Sequence, residues 1–409
     1  MQPLYLHVGM MKTGTTYLQN IWRANHEGLA EQDVFFPAGP GHPVQAFAVW
    51  DLVGRRPRGA VDDRITGQWK ALTEDVSAHA DQRVLISEEY LAAATPRQAR
   101  RAVAGFPDHE VHVVVTARDL GRVLASAWQE NVKNGATESW PEFIEAVRDP
   151  AAANRDPARG FWLRHDLPTV VDVWASVVGR ERVHVVTVPP AGSRPGLLLG
   201  RLGQVAGFDP AGLTNPGRQS NESLGAPATE VIRLMNQRLG RRLNQRQYDW
   251  VVKKTLQRRL PVAAATERLV LPVEHLEWAS GQAERMIAFL RDGGYDVTGD
   301  VDDLLPTAPA HGRAPLDVSQ EELLEAALDS LTVMAERSAR LWWRKRDPDE
   351  ARVPAGSLAV RASSSVRGAG FRMKRRAAEI SDQNPVAARA MGVYLKARAA
   401  GRRAVPPRT

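Results

Sequence analysis

Apolar, β-branched runs alternate along the first half of the chain with longer stretches whose apolar positions recur every three or four residues. That alternation is the pattern of a parallel sheet joined by crossover helices. The runs Leu4 to Val8, Val34 to Phe36, Arg83 to Ser87 (RVLIS), Glu110 to Thr116 (EVHVVVT) and Arg182 to Val188 (RVHVVTV) read as strands, and helical stretches fall near residues 15–26, 62–79, 96–104, 119–134 and 164–178. Pro189-Pro190 ends this regime. Beyond it GLLLGRLGQVAGFD reads as a helix, NPGRQSNESLGAP as a polar, turn-rich loop, and residues 226 to about 346 as mostly helical; Ser319 and Glu322 give SQEELLEAALDSL a capping box. The expected fold is α/β, three layers with a central parallel sheet. An α/β core of about residues 1–240 and a helical cover of about 226–346 form one domain, 1–346. No internal repeat is visible.

Composition narrows the classes. With 409 residues, 43% of them hydrophobic and 25% charged, the chain can bury a substantial core. No apolar run approaches the roughly 20 residues needed to cross a bilayer. The start MQPLYLHVGM lacks the basic leader and apolar stretch of a signal peptide, so a cytoplasmic location is expected. The absence of cysteine excludes disulfides, thiolate metal sites and a cysteine nucleophile. The net charge of +7 is unevenly spread: residues 351–409 hold 13 Lys/Arg against 2 Asp/Glu, which leaves −4 for residues 1–350. A folded part that is not basic argues against nucleic acid as a partner. Residues 347–409 are expected to form a basic, mobile tail, whose RMKRR and KARAAGRRA segments suit peripheral contact with an anionic membrane surface.

The candidate chemistry starts at HVGMMKTGTT, residues His7 to Thr16, between the first strand and its helix. Such a loop offers backbone N–H groups and the positive end of a helix dipole to an anion. Gly9 and Gly14 let the main chain curl and approach a ligand closely. A nucleoside-triphosphate loop would need Lys directly after the second glycine, where this chain has Thr15. Lys12 instead sits inside the loop, with Thr13, Thr15 and Thr16 as hydroxyl donors. A solvated strand-to-helix turn is the plain alternative, but three threonines around Gly14 are poor helix formers.

The K-T-G-T-T arrangement resembles the 5′-phosphosulfate loop of sulfotransferases that use 3′-phosphoadenylyl sulfate (PAPS). That resemblance implies a second anion site for the donor's 3′-phosphate. VVVTARDLGRVLASAWQE places Arg118 at the end of a buried strand and Ser126 eight residues on, similar to the family's 3′-phosphate motif; Leu120 departs from it, many members having proline there. Alone, Arg118 could equally pair with Asp119. What the resemblance implies is transfer of the sulfuryl group of PAPS to a hydroxyl of a small molecule, glycan or glycolipid, with adenosine 3′,5′-bisphosphate as product and no metal. Lys12 would neutralise the leaving oxygen, and Lys12, Thr13, Gly14, Thr15, Thr16, Arg118 and Ser126 would hold the donor. The resemblance spans roughly residues 1–240, with sharp motifs only at 7–16 and 118–126.

A general base is expected at the sheet edge. Glu88 and Glu89 end the third strand, and alternation lets only one of them face the donor. The family often shows Ser-Ser-Glu here, a register that matches Glu89. His165, at the head of a helix in FWLRHDLPTVVDVW, and His42 are the rival bases. Trp128, Gln129, Glu130 and Lys133 are candidates to line the acceptor cleft, and Arg218, Ser220 and Asn221 to close over the donor's 3′ end. A P-loop kinase, with VLISEE holding a metal, and a non-enzymatic protein that binds anionic polymers through its tail are the competing readings.

Overall fold

A computed structural model describes residues 1–55, 64–215, 224–256, 260, 267–308 and 311–344. Arg218, Ser220, Asn221 and the basic tail lie outside the described residues. The chain divides into two compact units, Met1–Asp329 and Ser330–Thr409. Everything below concerns the first.

Six strands form a sheet in which every pairing is parallel: β1 (Gln2–His7), β2 (Val34–Phe35), β3 (Arg83–Ser87), β4 (His109–Ala117), β5 (Val183–Thr187) and β6 (Asp296–Thr298), in the order β2-β3-β1-β4-β5-β6. Both faces are covered by helices, and so the central strands read as unbroken apolar runs such as Val113-Val114-Val115. On one face the Thr15–Ala24 helix buries Leu18, Ile21 and Trp22 against Leu85, Val114 and Val186 of the sheet, together with Leu199 and Leu202 of the Leu197–Ala206 helix. The helices Pro96–Val103, Leu120–Lys133 and Leu167–Val178 also bury apolar residues, Trp128 and Trp174 being fully enclosed. Among the described residues no helix is long and apolar enough to cross a membrane.

Five strands fall where the apolar runs place them. The sixth was not expected within the mostly helical 226–346: Asp296–Thr298 adds to β5 through His184↔Asp296 and Val186↔Thr298. Three residues cannot display a period of two, and glycines at 293, 294 and 299 bound them. The stretch near 164–178 is likewise two helices, Ala158–His165 and Leu167–Val178, broken at Asp166 because Pro168 suits the first turn of a new helix and not the interior of one. The capping box at Ser319 forms as expected: the Ser319 N–H donates to Glu322 Oε2 (2.8 Å) and the Glu322 N–H to Ser319 Oγ (3.2 Å).

Strand order positions the site. β1 lies between β3 and β4, and the chain leaves β3 to resume beyond β1 at β4. A crevice therefore opens above the carboxyl ends of these three strands, the place where open α/β sheets collect ligands.

Candidate functional site

The loop from Val8 to Gly14 first continues the ladder along β4, the Val8 N–H donating to Val114 O (2.8 Å) and the Met10 N–H to Thr116 O (3.3 Å). It then curls back. Lys12 (φ +67°) and Gly14 (φ +93°) both adopt the left-handed conformation, which costs a lysine free energy that a glycine does not pay. Two contacts hold Lys12 there: Arg118 Nη1 donates to its carbonyl at 2.8 Å, and its own Nζ sits 2.9 Å from Glu130 Oε2.

Beneath the loop a buried polar chain crosses three strands. Ser87 Oγ on β3 meets His7 Nδ1 on β1 (2.8 Å), His7 Nε2 meets Thr116 Oγ1 on β4 (3.1 Å), Thr116 Oγ1 meets Thr13 Oγ1 (2.7 Å), and Thr13 Oγ1 donates to Met10 O (2.5 Å). Burial pushes His7 down to about 3, so the ring is neutral and serves as a two-ended connector. Gly9 is required by close approach: a Cβ there would lie 2.7 Å from His7 Nε2 and 2.8 Å from Thr116 Oγ1. This corrects the expectation for Thr13. Its hydroxyl is engaged inside the scaffold, which leaves only its main chain for a ligand.

Donors remain above the loop. The Thr15–Ala24 helix starts at Gly14 with no side-chain cap and no acidic residue in its first turn, so the positive end of its dipole is uncompensated. Thr15 is 3% exposed and its hydroxyl has no partner among the described residues; Thr16 faces solvent. Arg118 forms no ion pair among the described residues, and its buried Nε is also without an acceptor. The Arg118–Asp119 pairing does not form. Asp119 instead caps the Leu120–Lys133 helix through the Arg122 N–H (2.8 Å) and pairs with the Arg122 side chain. Burial, reinforced by Arg122 and Arg268, pushes the Arg118 guanidinium down to about 10.

On the other side of the crevice the charges crowd. Ser126, Glu130 and Lys133 share one face of the Leu120–Lys133 helix, at spacings of four and seven. Burial raises the Glu89 carboxyl, Lys12 opposes the rise, Glu130 adds to it and Arg164 opposes it. Glu130 is held below the usual carboxylate range despite burial, chiefly by Lys12. The two glutamates correct the expectation that they end the third strand: β3 stops at Ser87, Glu88 follows in extended backbone, and Glu89 opens a 3-10 turn, Glu89–Ala93. The charges around Glu89 are Lys12, Glu130 and Arg164, whereas Glu88, buried and pushed up to about 7, sees Glu89, Arg55 and Arg23. His165 corrects its expectation. It is the last residue of the Ala158–His165 helix, not the head of the next one, and is 4% exposed. It is pushed down to about 3 by burial, with Arg164 and Lys12 adding, so it is a poor proton acceptor near neutrality. His42 is engaged elsewhere, with Asp75 at 2.9 Å. The Lys12–Glu130 pair is not among the sequence expectations, because its members lie 118 residues apart and only packing joins them. No group of three or more potential metal ligands occurs among the described residues.

No family model matches the chain, and no curated protein matches it. Among solved structures it is similar to a sulfotransferase from Alicyclobacillus acidocaldarius, at 19% identity over 54% of this chain and 87% of that one, with a TM-score of 0.37. Similarity at that level says nothing about activity.

Proposed function

We propose that the chain is a sulfotransferase that moves the sulfuryl group of PAPS onto a hydroxyl of a small molecule, glycan or glycolipid. One observation carries the reading: the guanidinium at the end of β4 donates to the carbonyl of Lys12, which brings Arg118 and the start of the Thr15–Ala24 helix, each with a buried donor lacking an acceptor among the described residues, together at the ends of β1 and β4. A ligand with two anionic ends fits them. The uncapped helix start and the Thr15 hydroxyl suit one phosphate, and Arg118 with Ser126 suits the other. The opening loop lacks the lysine that a nucleoside triphosphate would need, which disfavours the kinase reading.

The donor supplies an activated sulfuryl group. The protein's own work is positioning and charge. Lys12 Nζ, drawn from Glu130, meets the negative charge on the departing oxygen. Glu89, whose raised carboxyl is a better base than a solvated one, accepts the proton of the acceptor hydroxyl. Arg164 and Lys133 add positive charge around the same carboxylates.

Calorimetry with adenosine 3′,5′-bisphosphate tests the reading. Binding is expected in the parent protein and is expected to weaken at least tenfold in Lys12→Ala and Arg118→Ala. Equal binding of ADP with Mg²⁺, or no binding of the bisphosphate, overturns it.

A further inference from the structure

Behind the Leu120–Lys133 helix lies a second cleft, of about 670 Å³, within the roughly 300–1,000 Å³ typical of small-molecule sites. Trp128 and Ser126 are two positions apart on that helix, about 200° around its axis, and so face opposite sides. Trp128 packs edge-on to Trp140 (centroids 6.0 Å), and Trp140 lines the cleft. Its walls are aromatic: Trp140, Trp278 and His275, with His275 6.1 Å from Trp140.

Polar groups converge on these walls with both hydrogen-bonding senses. Trp140 is 3% exposed and contributes to the wall only, its indole N–H being enclosed and without an acceptor among the described residues. Arg148 spends one donor on His275 Nδ1 (3.2 Å) and lies over the Trp278 ring at 5.9 Å, which fixes its fork while Nε and Nη2 have no partner among the described residues. The side chains of Glu145 and Glu274, also in the lining, form no ion pair or hydrogen bond among the described residues. His275 is held below its ordinary value by burial, with Arg148 adding and Glu274 opposing, so it is neutral and can accept from Arg148.

We propose that this cleft binds a neutral hexopyranose ring. An apolar ligand would leave the Arg148 fork and two carboxylates unanswered. A simple cation would satisfy the carboxylates, but it would meet the Arg148 charge and offer no acceptor to its N–H groups. Hydroxyl groups both give and accept, and the C–H faces of a sugar ring lie on the electron-rich faces of indoles. The site shares no residue with the Lys12 crevice, and the proposal stands whether or not sulfuryl transfer is the activity.

The experiment is saturation-transfer NMR on the full chain with maltose, cellobiose, lactose and trehalose at millimolar concentration, with tetramethylammonium chloride as the cationic probe. At least one disaccharide is expected to show ring-proton transfer that Lys12→Ala retains. Glu274→Gln, at an exposed position, is expected to weaken it at least fivefold and Trp278→Ala to abolish it. Because Trp278 also packs on Trp162, Arg148→Ala provides a surface variant, with a loss of at least fivefold expected. No transfer to any of the four sugars, transfer to tetramethylammonium alone, or sugar signals unchanged in Arg148→Ala and Glu274→Gln would each overturn the proposal.

Discussion

The two sides of the crevice are built on opposite terms. On the side of β1 and β4, Ser87, His7, Thr116 and Thr13 answer one another, all uncharged, and carry a loop whose lysine is held left-handed. On the side of β3 and the Leu120–Lys133 helix, burial and neighbouring charges, Lys12 among them, shift the proton affinities of Glu88, Glu89, Glu130, Lys133 and Arg164. A satisfied neutral network fixes geometry, because breaking any member strands a buried partner. A crowd of incompletely compensated charges fixes little geometry but sets proton affinity, which is what acid–base chemistry needs. The first side suits holding a donor and the second suits handling a proton.

Lys12 belongs to both sides, and its loss should have the largest effect. Removing a cation aimed at developing charge costs about 10³ in kcat, or about 4 kcal/mol. Lys12→Ala is therefore expected to lose about that much transfer of labelled sulfate from PAPS while remaining folded, its side chain being 22% exposed and at the rim. Glu130→Gln sharpens the comparison: the bisphosphate product should bind a few times more tightly once a negative charge is gone from the site. A collapse of kcat in Glu130→Gln with Glu89→Gln unaffected would move the base to Glu130.

Glu88 tests the charged side without touching chemistry. Its carboxyl is raised from 4.5 to about 7, so between those values the folded chain holds a proton that the unfolded chain releases. The Glu88 contribution to stability is then most favourable below pH 4.5, declines as pH rises through that window, and above it is a penalty of about 3 kcal/mol. Glu88→Gln, neutral throughout, should gain up to that amount at pH 8 and nothing at pH 4.5 in urea denaturation. A uniform change at both pH values would mean that the side chain matters by shape and not by charge.

Arg118 comes next. A charge-assisted contact to phosphate is worth about 1.5–3 kcal/mol, so Arg118→Ala should weaken bisphosphate binding roughly 10- to 100-fold, with kcat at saturating donor little changed. Arg118→Lys keeps the charge without the planar fork and should fall between. An equal loss in the two variants would assign the effect to the hydrogen bond that holds the Lys12 carbonyl.

How much of this was legible follows the same division. The uncharged side is local in sequence: apolar runs give β1, β3 and β4, and Lys12, Gly14 and Arg118 stand at strand ends where the topology brings them together. The role of Thr13 was not legible, since its partner Thr116 is 103 residues away and only the fold reveals that the hydroxyl is taken. On the charged side, alternation assumed a strand that ends at Ser87, and the 3-10 turn that carries Glu89 was not legible in RVLISEE. The pairing of Lys12 with Glu130, 118 residues on, and the burial that silences His165 depend on packing that no spacing encodes. β6 escaped because three edge residues carry no period.

The smallest expected effect bears most directly on the comparison. Thr13→Val keeps the shape of a fully buried side chain and removes one hydroxyl from the chain of hydrogen bonds, stranding Met10 O and one bond of Thr116. That should cost about 1–2 kcal/mol, close to the 1–3 kcal/mol expected of Gly9→Ala, whose new methyl would press on the same His7 and Thr116 atoms. The two changes act on one network, so their combination should cost less than the sum of the separate costs. In both, bisphosphate affinity should fall only as far as the loop loosens, a few-fold at most. Unchanged stability in Thr13→Val with affinity lost a hundredfold would show that this hydroxyl binds the ligand. The neutral side of the crevice would then be part of the binding surface and not the frame beneath it.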